Sequence, residues 1–256
     1  MSSARSQLKI VLGCARDFVM MLTHPRQREF YGTRFVNSSE GASQTLAYER
    51  FKSLATSAGL LQSLPDPAAL LGDRAVLSEG PPGTLGRKLL EFMDSNGLTV
   101  GFITNLVDEF DRGRGEDPQR AWFRRRTAVA HDLRHVLSGY GACRCGEICN
   151  LFFRLGQTEH RGVAVLAVFG ALLELASGNF RVISQVLEAY RRGRRSMPID
   201  DFPWELYLGV PLAHCRAVLG LPPPKHFPAH VAPDAYLPDA MIGEGVRDPA
   251  AVAAAA

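Results

Sequence analysis

The sequence predicts an all-α protein: a single compact multi-helix domain over residues 1–221, with an irregular, proline-rich C-terminal extension over residues 222–256. Apolar residues recur at helical spacing in segment after segment. Helix-starting and helix-stopping residues bracket those segments: Pro25, the Asp117-Pro118 pair, and the glycines that follow Leu137. The chain also has the material for a core. Of its 256 residues, 46% are hydrophobic, and a chain of that length buries roughly 70–75% of its unfolded surface.

The elements follow in order. Ile10, Val11, Phe18 and Val19 predict an amphipathic helix over 7–22, which Pro25 stops. Gly32–Gly41 reads as a loop. Phe51, Leu54, Leu60 and Leu61 predict a second helix over 47–64, and Pro65, Pro67, Pro81 and Pro82 punctuate the connection after it. A third helix is predicted over 84–96. Over 98–110 the β-branched Thr99, Val100, Ile103 and Thr104 favour a strand, but the helical surroundings favour a helix, which we adopt. Residues 111–117 are charged and glycine-rich, hence a surface loop. Asp117 then caps a helix whose first position is Pro118, where the missing amide costs nothing. That helix is predicted to reach Leu137, with Trp122, Val129, Leu133 and Val136 on one face. Gly139 and Gly141 end it. Further helices are predicted over 146–155, 161–176 and 179–192, the last closed by the cationic run Arg191–Arg195. A short helical piece over 202–219 completes the domain. Six prolines (222, 223, 224, 228, 233 and 238) and the alanine run Ala253–Ala256 predict an extended tail.

Composition excludes several classes. Lys and Arg total 29 against 26 Asp and Glu, a net charge of +3. That interleaved, mild excess predicts no nucleic-acid partner, which would need a concentrated basic patch. A collagen-like chain, an acidic disordered tail and a disulfide-stapled miniprotein are also excluded. Five cysteines, an odd number, with no recognisable signal peptide before them, predict reduced thiols in a cytosolic compartment. The longest apolar stretch, Gly162–Leu173, is interrupted at Glu174. It falls short of the roughly 17–25 residues a bilayer span needs, so no transmembrane helix is predicted.

The chemistry-bearing signal is His131-Asp-Leu-Arg-His135. Histidines at i and i+4 project from one helix face and have the reach to share one ion. Glu147 follows across a glycine-containing turn that lets its helix fold back onto the histidines. Asp132 either coordinates or orients. Two imidazole nitrogens with one or two carboxylate oxygens suit a borderline divalent ion: zinc, or else iron or manganese. The residues alone do not choose between this reading and an ordinary packed or surface histidine pair. An alternative ligand set is His131, His135, Cys143 and Cys145, although no structural-zinc C-x-x-C spacing is present. Otherwise Cys143, Cys145 and Cys149 pack near the turn, and Cys14 and Cys215 belong to the core. His226 and His230 repeat the spacing, but Pro228 between them argues against a helix. His160 and His214 read as packing or surface residues. The Arg191–Arg195 run reads as a solvated helix end, or as a contact for an anionic head group or diphosphate.

These residues resemble a known family. His131-Asp132-x-x-His135, eleven residues, then Glu147 is similar to the signature of the coenzyme Q biosynthesis protein 4 family, with Gly139 and Gly146 in fitting places. Glu188-Ala-Tyr-Arg-Arg-Gly-Arg-Arg195 looks like its basic segment after a long helix, and Pro211-Leu-x-x-x-Arg216-x-x-Leu-Gly-Leu221 like its C-terminal helix ending. The resemblance spans roughly 47–221. It implies an all-helical fold and a divalent metal, usually zinc, on His131, Asp132, His135 and Glu147. It also implies a bound polyprenyl chain and a peripheral place on a membrane face. The implied chemistry is replacement of the C1 carboxylate of a polyprenylated hydroxybenzoate by a hydroxyl, a lyase and hydroxylase reaction in one. The implied partners are the other enzymes of the quinone pathway, and a homodimer is one assembly open to the chain.

The turn Gly141-Ala-Cys-Arg-Cys145 departs from the family's Pro, Thr and Asn-rich pattern. With no convincing mitochondrial presequence, a bacterial cytoplasmic member at the inner face of the cell membrane fits best. The apolar helices over 163–175 and 180–186, with Val163, Leu166, Phe169 and Leu173 near one face, are predicted to line a prenyl groove. Zinc has no redox chemistry of its own, so with zinc the oxygen chemistry falls to the substrate, and iron would remove that difficulty. Two rivals remain. One is a metal-dependent hydrolase of the HD type, which needs a further upstream histidine and a distant aspartate. The other is a non-catalytic scaffold that holds prenylated quinone precursors for partner enzymes.

Overall fold

The structure is a computed structural model that describes residues 2–24, 31–32, 34–36, 41–99, 117–158 and 160–227. It is all-helical. The order is α1 (Ser2–Thr23), α2 (Gly41–Lys52), α3 (Ser57–Ser63), α4 (Pro67–Gly72), α5 (Arg74–Ser78) and α6 (Leu85–Asn96), then α7 (Pro118–Val129), α8 (His131–Ser138), α9 (Arg144–Gln157), α10 (Arg161–Ala176) and α11 (Val182–Arg195). Two 3-10 turns, Ile199–Asp201 and Trp204–Leu206, lead to α12 (Leu212–Leu219). Among the described residues there is no strand, only an isolated bridge between Thr84 and Pro211.

The centre of the fold is α9, packed against α10 and α11. Glycines set how close these helices come. A β-carbon on Gly156 would run into the Tyr190 carbonyl, and one on Gly193 into the Phe153 carbonyl. The α9–α11 crossing therefore requires a bare backbone on both sides. At the α9–α10 crossing a β-carbon on Gly170 would lie 2.9 Å from the Ile148 side chain. Around this axis Leu85, Leu89, Leu133, Leu137, Phe153 and Trp204 form the main core. A second cluster joins α2, α3 and α7 through Tyr48, Phe51, Leu60, Leu61, Trp122 and Phe123. A third ties α1 to α9 and α10 through Phe18, Phe35, Leu151, Leu155 and Val163.

Most predicted helices are present, and the differences have local causes. The helix predicted over 47–64 is two helices. Ser53 and Ser57 turn their hydroxyls onto the Arg50 and Leu54 carbonyls, both at 2.7 Å, and so compete with the helical ladder between α2 and α3. The helix predicted from Pro118 to Leu137 breaks at Ala130 (φ −74°, ψ 11°). Its first half packs into the α2–α3 cluster and its second into the main core, and one straight rod cannot serve both. The proline-punctuated connection holds α4 and α5, each capped by an aspartate: Asp66 accepts from Ala68 N and Asp73 from Ala75 N, both at 2.9 Å. Within the predicted loop 32–41, Arg34–Val36 is helical and Gly41 opens α2. The helix predicted from Asn179 begins at Val182 and runs on to Arg195. The piece predicted over 202–219 is two 3-10 turns and α12.

Of the ambiguous segment 98–110, Leu98 and Thr99 are not helical. Its remainder lies outside the described residues, as do the predicted loop 111–116, His230 and the tail from 228 onward. Residues 222–227 fold back onto the domain. Phe227 is buried edge-on against Tyr140 with centroids 5.4 Å apart, and the Glu188 carboxylate accepts the Lys225 and His226 amides at 2.7 and 2.8 Å.

Candidate metal centre

The two turns of α8 begin after the break at Ala130 and end at Gly139 (φ +82°). Spacing i, i+4 stacks His131 and His135 on one side of that helix, with ring centroids 4.8 Å apart and Nε2 atoms 3.2 Å apart. The His135 side chain is 1% exposed and the His131 side chain 38%, so one ring is the floor of the site and the other its rim. Phe92 of α6 stacks on His135 at 5.5 Å, with the planes 17° from parallel. On the other edge, His135 Nδ1 meets the Tyr140 carbonyl at 2.9 Å. A carbonyl only accepts, so Nδ1 carries the proton and the Nε2 lone pair faces the cluster.

Glu147 arrives on the first turn of α9. The approach depends on Gly146, where a β-carbon would collide with the Gly141 carbonyl. The Cys143 sulfur accepts from the Gly146 amide at 3.4 Å and caps α9. Glu147 Oε1 lies 3.2 Å from His135 Nε2, and Oε2 lies 3.5 Å from His131 Nε2. The three donor atoms all fall within 4.8 Å of one another. Ligands at the bond lengths of a tetrahedral zinc ion stand roughly 3.3 Å from each other. The donor types suit a divalent ion, and the spacing is close to what one would require.

Charge is arranged to match. Burial alone would lower the His135 pKa, but the Glu147 carboxylate, the Asp132 charge and the Tyr140 carbonyl outweigh it and hold it above the ordinary value. Burial alone would raise the Glu147 pKa, and the two imidazoles hold it well below the carboxylate range instead. Asp132 is 8% exposed, and burial pushes its pKa up against the pull of both imidazoles. It does not join the three residues that converge.

The cysteine alternative is not assembled. Cys143 caps α9, and the Cys145 thiol donates to Gln185 Oε1 at 2.8 Å. Among the described residues no further His, Cys, Asp or Glu completes the group, so the ligands of an HD-type hydrolase are not assembled either. His160 is buried and caps α10 by accepting from Val163 N at 3.2 Å, while His214 is exposed. The basic run is not uniformly solvated, because Arg192 is buried. Sequence reasoning missed Phe92 and the Tyr140 carbonyl. An aromatic on a helical face has many uses, and a carbonyl leaves no mark in a sequence.

The predicted lining residues do not share one groove. Val163 is fully buried and Leu166 packs in the α1 cluster, whereas Leu173 is 44% exposed. A groove of about 720 Å³ does run between α9, α10 and α11, lined by Phe152, Leu155, Ala164, Val186, Leu187 and Tyr190 among others. Beside it, Val165, Val168 and Leu172 of α10 and Ile183 of α11 face outward. No helix among the described residues is long and apolar enough to cross a membrane.

Residues 49–225 match the family model described as coenzyme Q (ubiquinone) biosynthesis protein Coq4. The chain is 29% identical over 173 residues to the mitochondrial ubiquinone biosynthesis protein COQ4 homolog of Rattus norvegicus, and 30% identical over 174 residues to that of Mus musculus. In each case the match covers 66% of this chain and 62% of the relative. The chain thus spans about three fifths of the length of these curated relatives. A crystal structure of a protein assigned to ubiquinone biosynthesis in Nostoc punctiforme aligns with a TM-score of 0.59 at 18% identity, covering 84% of this chain and 97% of that one, which shows a common fold. The family match takes in α7 to α12 and every residue of the site, and on it the chain belongs to the coenzyme Q (ubiquinone) biosynthesis protein Coq4 family.

Proposed function

We propose that the chain is a metal-dependent enzyme of ubiquinone biosynthesis. Its substrate is a polyprenylated hydroxybenzoate, whose C1 carboxylate it replaces by a hydroxyl. The observation that carries this reading is the convergence of His131, His135 and Glu147 within 4.8 Å. These residues would hold the ion, zinc first and iron or manganese as alternatives, and Asp132, outside the converging three, would act on the two imidazoles through its charge. When bound, the ion supplies Lewis acidity next to the leaving carboxylate.

The chain's own residues do the rest. Tyr140 holds His135 in the tautomer that presents Nε2. Phe92 covers the inner ring and keeps water from that side. His131 and Glu147, both partly exposed, form the open edge at which an aromatic head group enters. The para-hydroxyl of the substrate releases electrons into the ring and makes C1 nucleophilic toward dioxygen or a peroxide. With a peroxide as oxidant, one oxygen atom enters at C1, carbon dioxide leaves, and the other oxygen departs as water, the peroxide taking two electrons. Dioxygen in its place would need two further electrons and two protons from a separate reductant such as a reduced nicotinamide or flavin. The groove between α9, α10 and α11 has the volume for part of a prenyl chain, with an apolar stretch from Phe152, Leu155, Ala164, Val186 and Leu187 to receive it and Arg161 and Arg194 also in the lining. Residues 1–221 form the working domain in this reading and 222–256 its extension. The protein sits peripherally on the inner face of the cell membrane beside other quinone-pathway enzymes.

A scaffold that holds prenylated intermediates without converting them is the second reading, favoured by the outward apolar face of α10 and α11. Single-turnover conversion of the carboxylated precursor by purified, metal-loaded protein separates the two. Product formation supports the enzyme. Retained prenyl lipid without product supports the scaffold.

A further inference from the structure

Both histidines of the centre ride on a helix of eight residues, and the last carbonyls of a helix have no partner within it. In α8 two guanidiniums supply those partners. Arg216 of α12 donates from Nη2 to the Val136 carbonyl at 2.8 Å and from Nε to the Leu137 carbonyl at 3.0 Å. Arg192 of α11 donates from Nη2 to the Ser138 carbonyl at 2.8 Å and to the Pro222 carbonyl at 2.6 Å. The Arg192 guanidinium also lies over the Tyr140 ring, 5.1 Å from its centroid.

The turn enclosed in this way is Gly139-Tyr140. A β-carbon on Gly139 would meet Pro224 at 3.2 Å and Arg216 Nη2 at 3.4 Å, and Phe227 closes on the Tyr140 ring from the other side. A cation near a helix C-terminus is favourable in general. Two cations brought from separate helices, Arg192 buried and Arg216 half-buried, carry a desolvation cost that this general effect does not require. What the pair adds is rigidity at one place, and the Tyr140 carbonyl that orients His135 leaves from that place.

We propose that Arg192 and Arg216 are positioning residues of the metal centre: by clamping the end of α8 and the Gly139-Tyr140 turn, they hold the Tyr140 carbonyl on His135 Nδ1 and keep Nε2 aimed at His131 and Glu147. The inference rests on the metal reading of that centre. It assigns a role there to α12 and to residues 222–227, which contribute no ligand.

The test compares the full chain with its Arg216→Met, Arg192→Met and Arg216→Lys variants. Zinc affinity is read by competition with a chromogenic chelator. The His135 tautomer is read in metal-free protein by long-range proton–nitrogen NMR, and helix content by circular dichroism. With helix content retained, Arg216→Met is expected to weaken zinc binding about ten- to a hundred-fold, the range found when groups that orient metal ligands are lost. His135 should pass from the Nδ1–H form to a mixture, and Arg216→Lys should recover part of both effects. Zinc affinity within about twofold of the parent, or an unshifted tautomer in folded variants, would overturn the proposal. Should Arg216→Met fail to fold, Arg192→Met and Arg216→Lys decide it by the same two criteria. If the parent binds no zinc the metal reading fails, and the tautomer still decides whether the clamp exists.

Discussion

His135 carries the most interactions of any residue in the centre: a stacked ring, a carbonyl on one nitrogen, and an imidazole and a carboxylate on the other. Its pKa is held above the ordinary value, so a proton competes more strongly than usual with a metal for Nε2. Affinity for zinc should therefore rise with pH through that elevated pKa, with release of a proton on binding. Calorimetry in buffers of different ionisation enthalpy measures this, and a pH-independent affinity from 6 to 8 (about the range where histidine titrates) would contradict it.

Two residues outside the centre make separate predictions. Arg126 is fully buried against Glu205 and donates to the Asp200 and Phe202 carbonyls. Arg126→Met strands the carboxylate and should cost about 3–5 kcal/mol in urea unfolding. His160 is lowered to about 3, first by burial and then by Arg154, so the fold holds it neutral while the unfolded chain protonates it below its ordinary pKa. Its contribution is complete above about pH 6.5 and fades as pH falls toward 3, at about 1.4 kcal/mol per unit. His160→Asn keeps a cap for Val163 and removes this dependence, so stability measured at pH 7 and pH 5 should differ less in the variant.

At the scale of elements, the α9–α11 crossing is the most sensitive contact. Gly193→Ala would push a methyl group into the Phe153 carbonyl. It should destabilise the fold by about 1–3 kcal/mol or more, read as a lower urea midpoint. Arg161–Ala176 was legible end to end in the sequence, because a long apolar run broken only at Glu174 needs no partner to reveal it. The i, i+4 spacing and the glycine turn made the approach of Glu147 to His131 and His135 legible, but the residues alone left the pair open to an ordinary packing role, and they did not show that Asp132 stands outside the converging three. The break at Ala130 was not legible: it arises because Trp122 and Leu133 are drawn into different clusters, a competition that is tertiary. Nor did the sequence show that Arg192, one of five residues in a basic-looking helix end, is buried beneath the C-terminal segment.

At the scale of the molecule, two of the three apolar clusters draw on α9, while one side of α10 and α11 stays apolar and outward. Replacing Val168 and Leu172 with serine should leave zinc binding intact and reduce co-sedimentation with anionic lipid vesicles. Unchanged co-sedimentation would remove that face from the membrane proposal. The account as a whole depends on one divalent ion held between α8 and α9. Titration of the chelator-stripped chain with zinc measures this most directly. The account predicts one ion per chain, abolished by His135→Ala and weakened more than about a hundred-fold by Glu147→Gln, since even groups behind the ligands are worth ten- to a hundred-fold. Absence of binding in the parent, or equal binding in both variants, would contradict it.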